Sequence, residues 1–284
     1  MNSSILRLIT LIFVSIAAPA MAQTGKAQPP ASVRLYVMDC GKLDIPDVTP
    51  YRLKKEEMGT TVMSVPCFLV AHPRGTLMWD VGAVPDSAFT AAGSGTLRVY
   101  ATSNKMLKTQ LAQVGYAPLD ITYIAFSHFH WDHVGNANQF ASATWLARKL
   151  ERDLMFGDPP SPRTEPANFS ALRNSKTVII PGSDYDVFGD GTVVLKSTPG
   201  HSPGHQVLFV KLAKTGPVLL SGDLYHYPEE RTRKLIPATE FNADQTIASR
   251  AAVENFLTQT GAQLWIQHDF LGMAKVKKSP EFYE

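Results

Sequence analysis

The chain has 284 residues, 44% of them hydrophobic and 18% charged, with 19 glycines and 20 prolines. That balance excludes disordered, collagen-like and coiled-coil chains and leaves ample material for a buried core. Lysine and arginine number 27 against 25 acidic residues, a formal charge of +2 without any basic run, so nucleic acid is not an expected partner.

The chain opens MNSSILRLITLIFVSIAAPAMA, residues 1–22. One cation, Arg7, precedes the apolar run Leu8–Ala18, and Ala20-Met21-Ala22 follows as a small-x-small cleavage site. This is the pattern of a secretory signal peptide. Its apolar run is shorter than the roughly 20 residues that a spanning anchor needs. The expectation is an exported protein, periplasmic in a host with two membranes, and free of the membrane once the leader is removed. Residues 23–31, polar and proline-bearing, read as a linker, and residues 32–284 as one domain.

Val33–Met38 alternates as a strand does, and Cys67–Ala71 and Thr76–Trp79 follow as apolar runs around the turn His72-Pro73-Arg74-Gly75. In an oxidising compartment Cys40 and Cys67, at the end of one strand pattern and the start of the next, fit a disulfide; two buried thiols fit as well. Ser103-Asn104 is a candidate cap for a helix bearing Leu107, Leu111 and Val114. Ile121–Phe126 is apolar nearly throughout, as a strand covered on both faces should be. Glu151–Ser175, with Pro159, Pro160, Pro162 and Pro166, reads as a surface excursion or lid. Strand patterns resume at 177–180, 192–196, 206–212 and 218–220. Asp244 is a candidate cap for a helix with Ala248, Ala252, Val253, Phe256 and Leu257, stopped at Gly261, and 264–266 is a last strand. With no linker between the halves, this is a single mixed α/β layered domain.

Chemistry concentrates after the buried strand, in Ser127-His128-Phe129-His130-Trp131-Asp132-His133. In an extended segment His128 and His130 face the same way, and the following turn brings Asp132 and His133 round beside them. Imidazole with carboxylate suits zinc, or manganese, iron and cobalt, rather than calcium. Further candidates also follow strands: His201 in Thr198–His205, Asp223 in Ser221-Gly222-Asp223, and His268 in Gln267-His268-Asp269. Polar residues gathered at strand ends are where α/β sheets build sites. His72 reads as part of a turn, and His205 and His226 as surface residues or supports of the site. Asp80 is expected to orient a ligand histidine.

The order His-x-His-x-Asp-His at 128–133, Gly-His at 200–201, Gly-Asp at 222–223 and a late His268 resembles the metallo-β-lactamase superfamily. The resemblance covers nearly the whole chain after the leader. It implies an αββα sandwich of the α/β class, with two divalent cations at one edge. By position, His128, His130 and His201 would hold the first, Asp132, His133 and His268 the second, and Asp223 would bridge both. Zinc is the first candidate, with iron, manganese or cobalt as substitutes. Leu35–Gly41, Val65–Gly82, Phe126–Asn138 and Gln267–Phe270 are similar to the N-acyl homoserine lactonases of that superfamily. A bridging aspartate argues against true β-lactamases. Only Asp269–Glu284 follows the last ligand, which leaves no room for the helical region that glyoxalase II enzymes add.

The resemblance therefore implies a metal-dependent hydrolase that opens the lactone ring of N-acyl homoserine lactones with a hydroxide shared between two cations. The alternative is a hydrolase of another ester, lactone or thioester. Asp223 would double as proton carrier. The family tyrosine three residues after the bridging aspartate would fall at His226, so the flanking Tyr225 and Tyr227 are the candidates to assist catalysis. Val84, Phe89, Met106, Met155 and Phe156 are candidates for an apolar substrate groove. The partner implied is a small lactone or ester, and a homodimer is compatible with the sequence.

Overall fold

The computed structural model describes residues 27–284. The leader Met1–Ala22 and the start of the linker lie outside the described residues. The end of that linker is docked: the Ala27 backbone N–H donates to Gly115 O at 3.2 Å, and Pro30 is buried.

Strands β1 (Arg34–Asp44), β2 (Val62–His72) and β3 (Gly75–Trp79) form an antiparallel meander. The short pair β4 (Gly95–Leu97) and β5 (Ala101–Ser103) extends it beside β1. After helix α1 (Leu107–Gln113), strand β6 (Tyr123–Ala125) lies parallel to β3. Strand β7 (Thr144–Arg148), helix α2 (Lys149–Met155) and strand β8 (Thr177–Ile180) follow, with β6, β7 and β8 all parallel. The second sheet comprises β9 (Tyr185–Asp186), β10 (Val193–Ser197), β11 (Gln206–Leu212) and β12 (Gly216–Leu220). Helices α3 (Pro228–Thr232) and α4 (Ala243–Thr260) precede β13 (Gln263–Trp265), which runs parallel to β12. Helix α5 (Phe270–Met273) leads to β14 (Phe282–Tyr283), which pairs with β1 and completes a nine-stranded sheet facing a five-stranded one.

Period-2 alternation decides the layers. Leu35, Val37, Phe68, Val70, Leu77 and Trp79 of the large sheet meet Val193, Leu195, Leu208, Val210, Val218 and Leu220 of the small one in a dry interior. The opposite face of the large sheet carries its own core, including Met38, Leu69, Met78, Ile124 and Trp145 under α1 and α2. The outer face of the small sheet packs Val207, Phe209 and Leu219 against Val253 and Leu257 of α4. This is the expected αββα sandwich.

Local details depart from expectation where a distant residue supplies the partner. Helix α1 is capped from afar, by the Asp86 carboxylate accepting from Leu107 N and Lys108 N at 2.7 and 3.0 Å, and Ser103-Asn104 does not cap it. Asn242, not Asp244, caps α4 by accepting from Gln245 N, and Gly261 closes it in the left-handed region at φ 67°. The buried face of α4 includes Ser249 and Arg250 while Ala248 and Ala252 face solvent, because Arg250 is satisfied by Glu230 and two carbonyls. Cys40 and Cys67 are joined by a disulfide at a Cα–Cα distance of 5.8 Å, where β1 bulges between Asp39 and Lys42. No helix among the described residues is long and apolar enough to cross a membrane.

Candidate metal centre

Strands β3, β6, β10, β12 and β13 all end at one edge of the sandwich, and the polar segments that follow them converge there. Around Asp223 Oδ2 stand His128 Nε2 at 3.5 Å and His201 Nε2 at 3.3 Å, and His130 Nδ1 lies 2.7 and 3.0 Å from those two nitrogens. Around Asp223 Oδ1 stand His133 Nε2 at 3.0 Å and His268 Nε2 at 3.1 Å, with Asp132 Oδ2 3.8 and 3.6 Å from the pair. The structure thus gathers all seven residues that the spacing singled out, into two groups that share Asp223. All seven are buried.

In four of the five ligand histidines the outward ring nitrogen is held by an oxygen. His128 Nδ1 meets Ser127 Oγ at 3.0 Å, His133 Nδ1 meets Asp80 Oδ2 at 2.9 Å, His201 Nδ1 meets Glu240 Oε1 at 3.2 Å and His268 Nδ1 meets Ser64 O at 2.7 Å. Donation of Nδ1–H to these acceptors leaves the Nε2 lone pairs aimed at the centre, the arrangement of metal-ligating histidines. Asp80 stands where expected; its Oδ1 also accepts from Ser127 N at 2.7 Å and its Oδ2 from Gln267 Nε2 at 2.9 Å. Asp80 sits at φ 49°, a left-handed backbone that an aspartate tolerates better than most residues and that these bonds hold in place. Gly222 (φ 49°) is required beside Asp223, because a Cβ there would come within 2.6 Å of Ser127 Cβ and 2.7 Å of His205 Nε2.

The electrostatics express crowding. Burial, reinforced by the neighbouring imidazoles, holds His128 and His130 well below the usual histidine range. Burial opposes protonation of His133 too, yet Asp223, Asp80 and Asp132 outweigh it and hold that ring well above the range. Burial would raise Asp223, but the surrounding histidines hold it well below the carboxylate range. His133 Nε2 and Asp223 Oδ1 are buried without a hydrogen-bond partner, although 3.0 Å apart. Lone pairs that converge in two groups, with orphaned atoms among them, make a donor set suited to cations. The nitrogen and carboxylate donors fit two borderline divalent ions.

Several residues stand elsewhere than expected. Tyr225 Oη donates to Glu254 Oε1 of α4 at 3.1 Å and Tyr227 Oη to Thr61 O, just before β2, at 2.9 Å, so both hydroxyls are taken by partners outside the ligand groups. His226, read from the sequence as a surface residue or a support of the site, is buried in it, with Nε2 3.3 Å from Asp223 Oδ2 and Nδ1 3.2 Å from Glu230 Oε1. His205 is also buried, pushed down to about 3 by that burial, and its Nε2 accepts from Asp223 N at 3.0 Å. Sequence gave no sign of Glu151, whose buried carboxylate accepts from Phe129 N, Ser202 Oγ and Gly204 N at 2.9, 2.7 and 2.6 Å. It ties the segment of His128 and His130 to the loop of His201, so the proline-rich excursion begins as a brace.

Above the ligands opens a cavity of about 240 Å³. Leu43, Ile45, Met63, Tyr100 and Trp131 form its apolar walls; Tyr51, Arg163, His226 and Thr239 are the other lining residues beyond the ligands. None of Val84, Phe89, Met106, Met155 or Phe156 lines it. Val84 and Phe89 pack with Gly95, while Met155 and Phe156 belong to the core under α2 with Trp145 and Phe169. Apart from Trp131 of the ligand motif, the wall comes from the end of β1, Ile45 after it, the start of β2 and Tyr100.

The family model described as the metallo-beta-lactamase superfamily matches residues 60–258, and the chain belongs to that superfamily. An N-acyl homoserine lactonase of Azorhizobium caulinodans, AttM, is 27% identical over 89% of this chain and 99% of its own length. The lactonase AiiA of Bacillus thuringiensis subsp. kurstaki is 28% identical over 76% and 85%. Among solved structures, a quorum-quenching N-acyl homoserine lactone lactonase superposes with a TM-score of 0.74 at 25% identity, covering 88% of this chain and 98% of the other. An N-acyl homoserine lactone hydrolase with the product N-hexanoyl-L-homoserine bound at its catalytic metal centre gives 0.72 at 25% identity, over 88% and 99%.

Proposed function

We propose that the protein opens the lactone ring of N-acyl homoserine lactones, with two divalent cations, zinc first among them, as its resident cofactor. His128, His130, His201 and Asp223 would hold one, and Asp132, His133, His268 and Asp223 the other. The observation that carries this reading is the convergence of seven buried donors, two of them orphaned, at the floor of a cavity with apolar walls. Relatives named for this activity, matched over nearly their full length, support the choice of substrate.

Bound cations of this kind ionise water near neutral pH and polarise a carbonyl. The protein's own part is to orient and exclude. Asp80, Glu240, Ser127 and the Ser64 carbonyl hold the rings of His133, His201, His128 and His268, which keeps their Nε2 lone pairs inward. Asp223, the carboxylate shared by both groups and a lining residue of the cavity, is the group to carry the proton from the attacking water to the leaving ring oxygen. Leu43, Ile45 and Met63 would receive the acyl chain.

The test is a substrate panel on purified protein: hexanoyl-homoserine lactone, simple γ-lactones, glutathione thioesters and a β-lactam. The expected result is a kcat/KM for the homoserine lactone at least about tenfold above the others. A thioester or β-lactam as the preferred substrate would overturn the reading. Export to an oxidising compartment is part of the same proposal, supported by the leader-like Met1–Ala22 and the Cys40–Cys67 disulfide. N-terminal sequencing of the protein recovered from the periplasm should begin at Gln23; an intact Met1 in the cytosol would contradict it.

A further inference from the structure

Arg163 stands on the turn Ser161–Thr164 and brings a cation into the cavity from the proline-rich excursion. Two contacts fix it. Its carbonyl accepts from Trp131 N at 3.0 Å, which clips the turn to the metal-binding motif, and its Nη2 donates to Thr239 O at 2.8 Å. The neighbouring acid, Glu165, pairs with Arg98 at 3.8 Å, and Arg163 enters no ion pair among the described residues. A guanidinium at a cavity wall without a carboxylate is a donor awaiting an acceptor.

Its Nη1 points at His130 Nε2, 3.4 Å away. His130 differs from the other ligand histidines, because it is Nδ1 that faces His128 Nε2 and His201 Nε2. With the Nδ1 lone pair committed to the centre, the ring proton of a neutral His130 sits on Nε2. Two N–H groups, one of them on a full cation, therefore face each other beside the cavity with no acceptor between them. A single oxygen placed against both would relieve the opposition and make two hydrogen bonds, one charge-assisted.

Resting on the lactonase reading above, we infer that Arg163 and the His130 Nε2–H form a seat for the acyl-amide oxygen of the substrate, which makes Arg163 a specificity-determining residue. A lactone ring bearing an acylamino group offers a second carbonyl oxygen besides the scissile one, whereas an alkyl lactone does not. The seat lies beside His130, and Leu43, Ile45 and Met63 line the same cavity, so a chain continuing from the amide meets apolar wall. The recognised chemistry is an N-acylated lactone rather than a bare one.

The experiment compares wild type, Arg163→Met and Arg163→Lys on hexanoyl-homoserine lactone and on a γ-alkyl lactone of similar length without the amide, with metal content measured for each protein. The expected result is that the ratio of kcat/KM values falls about 10- to 100-fold in Arg163→Met, at unchanged metal content. Arg163→Lys, which keeps the charge but not the planar fork, should lower the ratio in the same direction and serves if the Met variant fails to fold. An unchanged ratio overturns the inference, as does a parallel loss on both lactones with loss of metal, which would make Arg163 only a brace for His130. A wild-type protein that opens neither lactone overturns the functional reading, and this inference with it.

Discussion

Asp223 is faced by five imidazoles, while Tyr225 and Tyr227, a few residues on, donate their hydroxyls away from it. The contrast yields a paired prediction. Asp223→Asn keeps the volume but removes the charge that both ligand groups share, so turnover should fall by about 10³-fold or more, with loss of bound cation by elemental analysis. Tyr225→Phe and Tyr227→Phe should each leave kcat on the lactone within about twofold, at a loss of about 1 kcal/mol of stability for one hydrogen bond. The ligands were legible in the sequence because the buried strand β6 delivers them as a dense cluster, and the later ones each close a strand. His226 was not legible: an isolated histidine in a loop looks the same whether it faces solvent or Glu230, and only the packing of α3 against α4 decides. Glu151 was hidden for the same reason, since its three donors lie some 22 to 53 positions away.

Helix α2 shows what such a hidden residue does to an element. Burial raises the Glu151 carboxyl to about 7, the three donors countering part of that rise. An acid raised in the native state keeps its proton between about pH 4.5 and 7 while the unfolded chain has lost it, so native stability falls as pH rises through that window and levels off above it. The loss amounts to about 3 kcal/mol, and Glu151→Gln should flatten the slope there in urea unfolding measured from pH 4 to 8; an unchanged slope would show that the carboxyl is ionised throughout. The β1–β2 hairpin is stapled by a disulfide that closes a separation of 27 residues. Replacing both cysteines by alanine should cost about 2–4 kcal/mol and lower Tm by about 10 °C in a thermal melt. Strand patterns were the most readable feature, because alternation and β-branching survive in β10 and β11 whatever packs on them. Helix ends were less so. The cap of α1 comes from Asp86, which no local signature connects to Leu107.

The whole molecule is a frame for one edge. Two sheets bury a common interior, and five strands end together, so that ligands from His128 to His268 meet although they are far apart in sequence. The architecture was readable from the alternation of strand and helix patterns and from the motif order. The cavity wall was not, because Leu43, Ile45 and Met63 reach it through a bulge in β1 and the start of β2 rather than through any motif. A frame that aims so many lone pairs at two points is itself stabilised by filling them. The most direct test is to strip the purified protein with a chelator and titrate divalent zinc back while following the opening of hexanoyl-homoserine lactone. The account predicts no turnover at zero cation and a linear rise that breaks at two per chain. Full activity without added cation, or a break at one, would contradict it.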